Sequence, residues 1–280
     1  MTLPVFVLHD SPAMPVDVAF PVGSHPQLPE SVQRHAFKSM RLVEGDEFQL
    51  TDGRGARITM RVDDADAMLA HVTAVTADPA PAVRLGLIQA LAKGGRDEQA
   101  IETSTEIGVD AVMPWQANRS IVQWKGSKAD KALAKWRGVL VAATEQSRRA
   151  WVPDLEPLHT TRQLAEWIAD ATRRGDMVIV LHQDATDTWA GVESAASALA
   201  DRARNVADGV SAGALAGASA GAEPATIWVV VGPEGGIADD EVARFVEAGA
   251  RSCVIGSTIL RASTAGPVAL TLLARALGRI

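Results

Sequence analysis

From residue 78 to the C-terminus, short apolar runs alternate with helical patterns, and this alternation restricts the chain to few folds. The apolar runs are AVRLGLIQAL, DAVMPW, MVIVLH, IWVVVG and SCVIG. Helical spacing follows most of them, as in RDEQAIETSTEIGV and DKALAKWRGVLVAATEQSRR. Strands this apolar are buried on both faces, and the helices between them supply the crossovers of a parallel sheet. The sequence therefore predicts an α/β fold.

Residues 1–77 are predicted to be rich in β-strands and do not show this alternation. FVLH, DEFQLTDG, ARITMRVDD and MLAHVTAVT are β-prone runs separated by turn signals, and LPESVQRHAFKSMRL is a helical pattern. DPAPA, at residues 78–82, reads as a semi-rigid link because it holds two prolines. We therefore predict two domains, a small β-barrel or sandwich at 1–77 and the α/β domain at 78–280.

One segment of the second domain does not fit its pattern. In residues 207–222, 13 of the 16 residues are Ala, Gly or Ser, which supplies little apolar bulk for packing. We expect a flexible surface insertion at about residues 203–223.

Composition excludes several classes of protein. The chain of 280 residues has a net charge of −7, which argues against indiscriminate binding to nucleic acid. Positive charge is concentrated in residues 81–150, with 11 basic and 7 acidic side chains. This segment is either a set of solvated helix faces or a patch for phosphate groups.

The cysteine, histidine and hydropathy patterns bear on metal binding and on the cellular location. The single cysteine, Cys253, lies in an apolar run and is predicted to be a buried core thiol. The six histidines show no metal-ligand spacing, so we expect no metal. The start MTLPVFVLHD lacks a basic region and a long apolar stretch, and no run approaches the roughly 20 apolar residues of a membrane span. We expect a cytoplasmic protein.

The sequence GPEGG, at residues 232–236, follows an apolar strand and precedes a helical pattern. Ligands of α/β folds bind at such turns, where glycine lets a ligand approach the backbone. The dinucleotide and P-loop fingerprints are both absent, and the nearby acidic residues would repel a phosphate. An ordinary tight turn is the alternative, with the cluster Asp239, Asp240 and Glu241 as a cap for the next helix.

Two further stretches carry candidate functional residues. In IGSTILRASTAGPVAL, at 255–270, another strand ends at a glycine, Arg261 stands between apolar residues, and Thr264 is a plausible helix N-cap. In VAATEQSRRAWVPDL, at 141–155, Glu145, Arg148 and Arg149 crowd the end of a long helix. Helix-end electrostatics explains part of this second cluster.

Taken together, these stretches resemble one family, the small-subunit ribosomal RNA uridine N3-methyltransferases of the SPOUT class. The resemblance rests on GPEGG at 232–236 and on the ILR loop at 255–265. The segments ATEQSRR and TSTEIGVDAVMPWQANRS are also similar to that family, and HAFKSMRLVEGDEFQLTDGRG resembles its PUA-like N-terminal barrel. The resemblance covers almost the whole chain apart from the Ala/Gly-rich segment.

The resemblance implies a PUA-like β-barrel followed by a SPOUT-type α/β domain with a deep trefoil knot, assembled as a homodimer. It also implies that S-adenosylmethionine binds at the knot. The expected cofactor-binding residues lie in three loops: Leu181, His182, Gln183, Gly232, Pro233, Glu234, Gly235, Gly236, Ile255, Gly256, Ile259, Leu260, Arg261, Thr264 and Ala265. A phosphate-free, cationic cofactor is compatible with the acidic Glu234.

The implied reaction is methyl transfer to N3 of one uridine in small-subunit ribosomal RNA, either free or in the assembled subunit. Arg261 or Arg119 is expected to stabilise the anionic base, and Glu145 is the candidate proton acceptor. A solvated or arginine-paired carboxylate is the alternative for Glu145. The candidate RNA-binding residues are Arg34, Lys38, Arg41, Arg54, Arg84, Lys93, Arg96, Arg119, Lys125, Arg148 and Arg149.

Three other functions remain open at this point. A knotted enzyme that methylates ribose 2′-OH would share the same motifs. A non-enzymatic assembly factor would bind RNA through the barrel and would bind no cofactor. A nucleotide-dependent reductase is poorly supported because its fingerprint is missing.

Overall fold

The computed structural model describes residues 3–8, 16–212 and 224–280. The chain divides into two compact units. One contains Met1–Ala80 together with Leu140–Val152, and the other contains Pro81–Val139 together with Pro153–Ile280.

The N-terminal unit is built on a mixed four-stranded sheet in the order β1-β2-β3-β4. β1 pairs parallel with β2, and the other two pairs are antiparallel. A helical segment precedes β2, formed by α1, α2 and a short π-helix. These elements are β1 Val5–Val7, α1 Val16–Ala19, α2 Glu30–Gln33, the π-helix Arg34–Ser39, β2 Glu47–Thr51, β3 Ala56–Asp64 and β4 Leu69–Ala77.

Alternating residues of this sheet bury one apolar face. Phe6, Phe48, Ile58 and Met60 form its core with Phe37 of the π-helix. Within the described residues β1 and β4 are not paired with each other. The prediction of a β-rich unit, a small barrel or sandwich, is confirmed in its β-rich character.

The segment Leu140–Val152 groups with the N-terminal unit, although we predicted that it belongs to the α/β domain. Polar contacts explain the difference. Thr51 Oγ1 donates to Ala150 O at 2.8 Å, and the guanidinium of Arg57 bonds both Asp78 carboxylate oxygens and Arg148 O. The hydrogen bond from Arg57 also lowers the pKa of Asp78. A sequence boundary at residue 77 cannot include a segment that returns from so far along the chain.

The second unit is built on an eight-stranded sheet whose strand pairs are all parallel. Its order is β10-β12-β9-β11-β5-β6-β7, and β8 also pairs with β6. The central strands are buried along almost their whole length, as the apolar runs predicted. The strands are β5 Arg84–Ala90, β6 Ala111–Gln116, β7 Asp154–Leu155, β8 His159–Thr160, β9 Met177–Leu181, β10 Asp187–Thr188, β11 Thr226–Val231 and β12 Arg251–Val254.

Helices cover both faces of this sheet. Packing against α5 and α7 buries Ile88, Met113 and Trp228 on one face. On the other face, α8 contacts β5, β11 and α3, and Gly266 lies against Leu87. The helices are α3 Arg96–Ile107, α4 Ser127–Gln146, α5 Thr161–Arg174, α6 Trp189–Ala212, α7 Asp239–Glu247 and α8 Ala262–Ala276. Of the helices in the described ranges, none has the length and hydropathy that crossing a bilayer requires.

The predicted flexible insertion is partly wrong. Residues 203–212 continue α6 as helix, because alanine is the strongest helix former and this segment is rich in it. The rest of the predicted insertion, residues 213–223, lies outside the described residues.

Gly86, in the central strand β5, has no room for a side chain. Trp228 stands opposite it in the register of β5 and β11, and a Cβ on Gly86 would lie 2.2 Å from the indole ring. We expect Gly86→Ala to lower the free energy of unfolding by about 1–3 kcal/mol, because the ring is buried and cannot move aside. Urea denaturation followed by tryptophan fluorescence measures this change.

Gly138 provides the control, because it lies within α4 and an added Cβ would meet nothing within 4 Å. Gly138→Ala should leave stability unchanged or raise it slightly. Equal midpoints for Gly86→Ala and the wild type would contradict the packing argument.

Candidate active site

Three loops meet at the carboxyl edge of the parallel sheet. They follow β9, β11 and β12, which are neighbours in the strand order. Because parallel strands end at the same edge, their loops enclose one cavity of about 560 Å³. The cavity is lined by Arg96, Arg119, Leu181, His182, Gln183, Asp184, Val231, Gly232, Pro233, Glu234, Gly235, Gly236, Ile237, Asp239, Cys253, Val254, Ile255, Gly256, Ser257, Thr258, Ile259, Leu260, Arg261, Ala262 and Ala265.

Every residue that was predicted to bind the cofactor lies in this lining except Thr264. Thr264 was also considered as a helix N-cap, and that prediction is wrong. α8 begins at Ala262, so Arg261 occupies the N-cap position, with an extended backbone. Thr264 sits in the first turn, where its N–H donates to Arg261 O at 2.8 Å.

The GPEGG loop is a tight turn closed by Gly236 N–H, which donates to Pro233 O at 2.9 Å. Gly236 has a φ of 72°, a conformation that favours glycine. A Cβ on Gly232 would lie 2.6 Å from the Ile237 side chain, and one on Gly235 would lie 3.2 Å from Arg119 Cβ. The glycines are therefore needed for a turn that other chain segments approach closely.

Glu234 has a partner that the sequence did not reveal. Its Oε1 accepts hydrogen bonds from Lys93 N–H at 3.0 Å and from Arg96 Nη1 at 3.2 Å. Both donors belong to the segment between β5 and the first turn of α3. Glu234 therefore ties the GPEGG loop to that segment.

Glu241 is the fully buried acid of this site. Its Oε2 accepts from Ala238 N–H at 3.1 Å, which satisfies the backbone donor at the N-cap of α7. Its Oε1 accepts from Asn118 N–H at 2.8 Å and from the Thr161 hydroxyl. The predicted capping role is thus confirmed for Glu241, and the same carboxylate also holds the loop after β6.

Two of the three arginines in the cavity lining, Arg119 and Arg261, differ in their contacts. Arg119 Nη1 donates to Gly235 O at 3.1 Å, so its side chain lies along the GPEGG loop. Arg261 is exposed and, within the part of the chain that the structure describes, its guanidinium has no hydrogen-bond or ion-pair partner. An unpaired guanidinium at a cavity wall is available to a ligand.

Cys253 and Asp97 are buried near the cavity loops. Cys253 is fully buried, as predicted, and it also lines the cavity. Burial raises the pKa of its thiol, and Asp187 raises it further, so Cys253 stays protonated at neutral pH. Burial likewise raises the pKa of Asp97, whose carboxylate accepts from Ala92 N–H. Neither group is prepared for nucleophilic chemistry.

Glu145 is not brought to the cavity lining, and it belongs to the N-terminal unit. Its Oε1 accepts from Val7 N–H at 2.9 Å, and its Oε2 lies 3.8 Å from His35 Nδ1. The carboxylate thus supports β1, a role that neither reading of the sequence included.

Several predicted RNA-binding cations already have partners. Arg84 bonds the Asp154 carboxylate and Asp110 O, Arg34 pairs with Glu30, and Arg96 pairs with Glu234. Arg84 therefore holds the sheet together through these bonds, and its RNA contact stays a prediction. The remaining candidates that the structure leaves at the surface are Lys38, Arg41, Arg54, Lys93, Arg119, Lys125 and Arg148, with Arg149 half-buried.

The cavity also includes residues that the motifs did not indicate. Asp184, Val231, Ile237 and Asp239 flank the predicted loops, and Ser257 and Thr258 lie within the third loop. Most of these residues could have been predicted from their positions just before or after each loop. The end of a parallel strand and the start of the next helix lie at the same edge of the sheet.

The strand order and this cavity define an α/β protein with a cavity of ligand size at the carboxyl edge of a parallel sheet. The RNA methyltransferase domain family matches residues 79–274, and the RNA methyltransferase PUA domain family matches residues 28–72. The chain therefore belongs to the RNA methyltransferase family with an N-terminal PUA domain.

Relatives and solved structures agree with this membership. The ribosomal RNA small subunit methyltransferase E of Mycobacterium tuberculosis is 36% identical, with 84% of this chain and 80% of the relative aligned. The protein of the same name from Bacillus subtilis is 28% identical over 85% and 84%. The fold is shared with a methyltransferase E of Neisseria gonorrhoeae bound to S-adenosyl methionine, with a TM-score of 0.72, 23% identity and 98% coverage of each chain.

Removing the Glu241 carboxylate should loosen this edge of the sheet. We expect Glu241→Ala to lower the free energy of unfolding by about 3 kcal/mol, because two backbone N–H groups and a hydroxyl lose their buried acceptor. Thermal denaturation gives the global effect, and hydrogen exchange at Asn118 and Ala238 gives the local one.

The neighbouring acid Asp240 is exposed in the same helix turn, so Asp240→Ala is the matched control. It should change stability by less than about 0.5 kcal/mol. If both variants behave alike, Glu241 does not hold the two loops together.

Proposed function

We propose that this chain is an S-adenosylmethionine-dependent methyltransferase that modifies N3 of one uridine in small-subunit ribosomal RNA. The observation that carries the proposal is the cavity enclosed by the three predicted loops within an RNA methyltransferase domain. The relatives that carry the name ribosomal RNA small subunit methyltransferase E supply the RNA class.

The residues of the cavity suit S-adenosylmethionine better than a nucleotide phosphate. The lining holds three acidic side chains, Asp184, Glu234 and Asp239, together with the arginines Arg96, Arg119 and Arg261. It therefore offers partners for the cationic groups of S-adenosylmethionine as well as for its carboxylate. A Cβ on Gly256 would meet no atom within 4 Å, so this glycine leaves open space at the wall. The volume of about 560 Å³ is in the usual range for cofactor sites.

When bound, S-adenosylmethionine supplies a methyl group activated by its positively charged sulfur. The chain supplies the surface that orients it. Ile255, Ile259 and Leu260 offer apolar side chains for the adenine ring, and the GPEGG backbone offers groups for hydrogen bonds. Ile259 is 81% exposed, so its apolar surface is accessible to a ligand.

The substrate nitrogen must lose its proton before it can accept a methyl group, because the N3 lone pair of neutral uracil is not free. Arg261 is assigned to stabilise the resulting anion, since its guanidinium is exposed at the cavity wall. Arg119 is the second candidate, held close by Gly235 O. N3 lies on the pairing edge of the base, so the uridine must be unpaired or flipped out.

The loop after β6 is the proposed RNA contact beside the cavity. Its exposed side chains alternate along the chain at Arg119, Ile121, Gln123 and Lys125. Gln116 holds this loop in shape, because its Nε2 donates to Val122 O at 2.9 Å and its Oε1 accepts from Trp124 N–H at 3.3 Å. This loop therefore presents two cations, one amide and one large apolar side chain to RNA.

A trefoil knot, a homodimer and a cytoplasmic location belong to the proposal through the family resemblance. The strand order supports the knot, because β9 lies between β11 and β12 although it precedes both in the chain. The proposed domains are a PUA-like domain at 1–77, with which Leu140–Val152 groups, and a SPOUT domain formed by the rest of 78–280.

Product analysis tests the function. Calorimetry should show binding of S-adenosylmethionine, and small subunits from a strain lacking the protein should gain one methyl group per RNA. Nuclease digestion and mass analysis should place that group on N3 of uridine. Arg261→Ala should reduce the rate by about 100-fold or more, whereas Arg251→Ala, at an exposed position of β12, should not.

A methyl group on the ribose 2′-OH would instead support a knotted 2′-O-methyltransferase. Absence of cofactor binding would support a non-enzymatic assembly factor. Either result would overturn the proposed reaction.

Glu145 remains the candidate proton acceptor, and this assignment rests on the sequence. The structure makes a clean test possible, because glutamine keeps the Oε1 acceptor for Val7 N–H while it cannot take a proton. We expect Glu145→Gln to cut the methylation rate at least about tenfold while cofactor binding persists. Glu102→Gln, at an exposed site of α3, is the control, and unchanged turnover in Glu145→Gln would remove Glu145 from the mechanism.

A further inference from the structure

Three potential metal ligands meet in the N-terminal unit, away from any residue assigned above. His25, Asp63 and His71 each offer a donor atom, and these atoms lie within 4.8 Å of one another. His25 Nε2 is 3.1 Å from Asp63 Oδ2, and His71 Nδ1 is 2.7 Å from Asp63 Oδ1. The two histidines therefore approach the two different oxygens of one carboxylate.

The fold brings these residues together in a defined way. The register of β3 and β4 shifts between Val62 and Asp64, so Asp63 is the extra residue of a bulge. Bulges turn a side chain away from the regular alternation of a strand. Here the bulge places Asp63 beside His71 of β4.

The segment that carries His25 is held against the same strand by backbone hydrogen bonds. Gly23 N–H donates to Val72 O at 2.8 Å, and Val72 N–H donates to Ser24 O at 2.9 Å. These bonds place the following residue, His25, next to His71, and the two ring centroids are 5.7 Å apart. The ligands are thus positioned by main-chain pairing rather than by side-chain mobility alone.

Asp63 Oδ2 supplies a second, independent observation. This oxygen is buried, and among the described residues it has no hydrogen-bond partner. His25 Nε2 is 3.1 Å from this oxygen, yet the two atoms do not form a hydrogen bond. A buried carboxylate oxygen without a hydrogen-bond donor is unfavourable, and a bound cation offsets that cost.

We propose that His25, Asp63 and His71 form a binding site for a divalent transition-metal ion of the Zn²⁺ class. Two imidazole nitrogens and one carboxylate group form a ligand set that Zn²⁺ accepts, with water in the remaining position. His25 has a side chain that is 56% exposed, so the water can enter. Mg²⁺ is disfavoured, because it selects oxygen ligands in octahedral geometry.

The donor distances agree with such an ion. Bonds of about 2.0–2.1 Å in a tetrahedral arrangement place donor atoms roughly 3.3 Å apart. The pairs at 3.1 and 2.7 Å involve different oxygens of Asp63, and they would open by about 0.2 and about 0.6 Å around an ion that contacts both oxygens. The ion would fasten the segment before α2 to the β3–β4 hairpin, and this role is independent of the methyl-transfer proposal.

Metal titration of the untagged full-length chain tests the site. Competition with a chromophoric chelator should show one tightly bound Zn²⁺ per chain, and Co²⁺ should give the absorption of a tetrahedral nitrogen and oxygen site. His25→Ala and Asp63→Asn should each weaken binding by at least about tenfold. His159→Ala and Asp66→Asn are the matched controls and should bind as the wild type does.

Thermal unfolding supplies a second measurement. Zn²⁺ should raise the midpoint of the wild type and of both controls, but not of His25→Ala, because an ion bound only to the folded state stabilises it. His25 is exposed, so this variant is expected to fold. Zn²⁺ binding that survives both His25→Ala and Asp63→Asn, or no binding by the wild type, would overturn the proposal and leave a hydrogen-bonded Asp–His cluster.

Discussion

The buried carboxylate of Glu241 is the interaction on which the candidate site depends. It caps α7, accepts from the backbone of the loop after β6, and accepts from the hydroxyl of Thr161 at the start of α5. Trp115 extends the network, since its indole N–H donates to the same hydroxyl. Three chain segments that are distant in sequence therefore bond to one fully buried carboxylate.

This network has a direct consequence for Arg119. The residue before it, Asn118, is bonded to Glu241 through its backbone, and Arg119 in turn donates to Gly235 O. Both sides of the contact are thus fixed, one by the cap of α7 and the other by the GPEGG turn. A buried, fully bonded carboxylate is a costly element, and it is retained where it holds functional backbone in register.

Much of the architecture could be predicted because it rests on local patterns. The apolar runs of β5, β6, β9, β11 and β12 identified the parallel sheet, and the spacing of apolar residues identified α3, α4, α5, α7 and α8. The motifs at 232–236 and 255–265 identified two walls of the cavity. The helix α6 was not predicted, and its residues 203–212 were interpreted as part of a flexible insertion, because alanine-rich composition fits both a helix and a flexible segment.

By itself, the sequence determined the fold class, the glycine turn at 232–236 and the family, because period, composition and motif are properties of consecutive residues. Only the tertiary structure decided the partners of the charged groups. Glu234 binds the loop after β5, Glu145 supports β1, and Arg84 joins Asp154. His25, Asp63 and His71 likewise meet only through a bulge and a strand pairing. Each of these contacts joins residues separated along the chain, and such distances depend on the packing of whole elements rather than on local sequence.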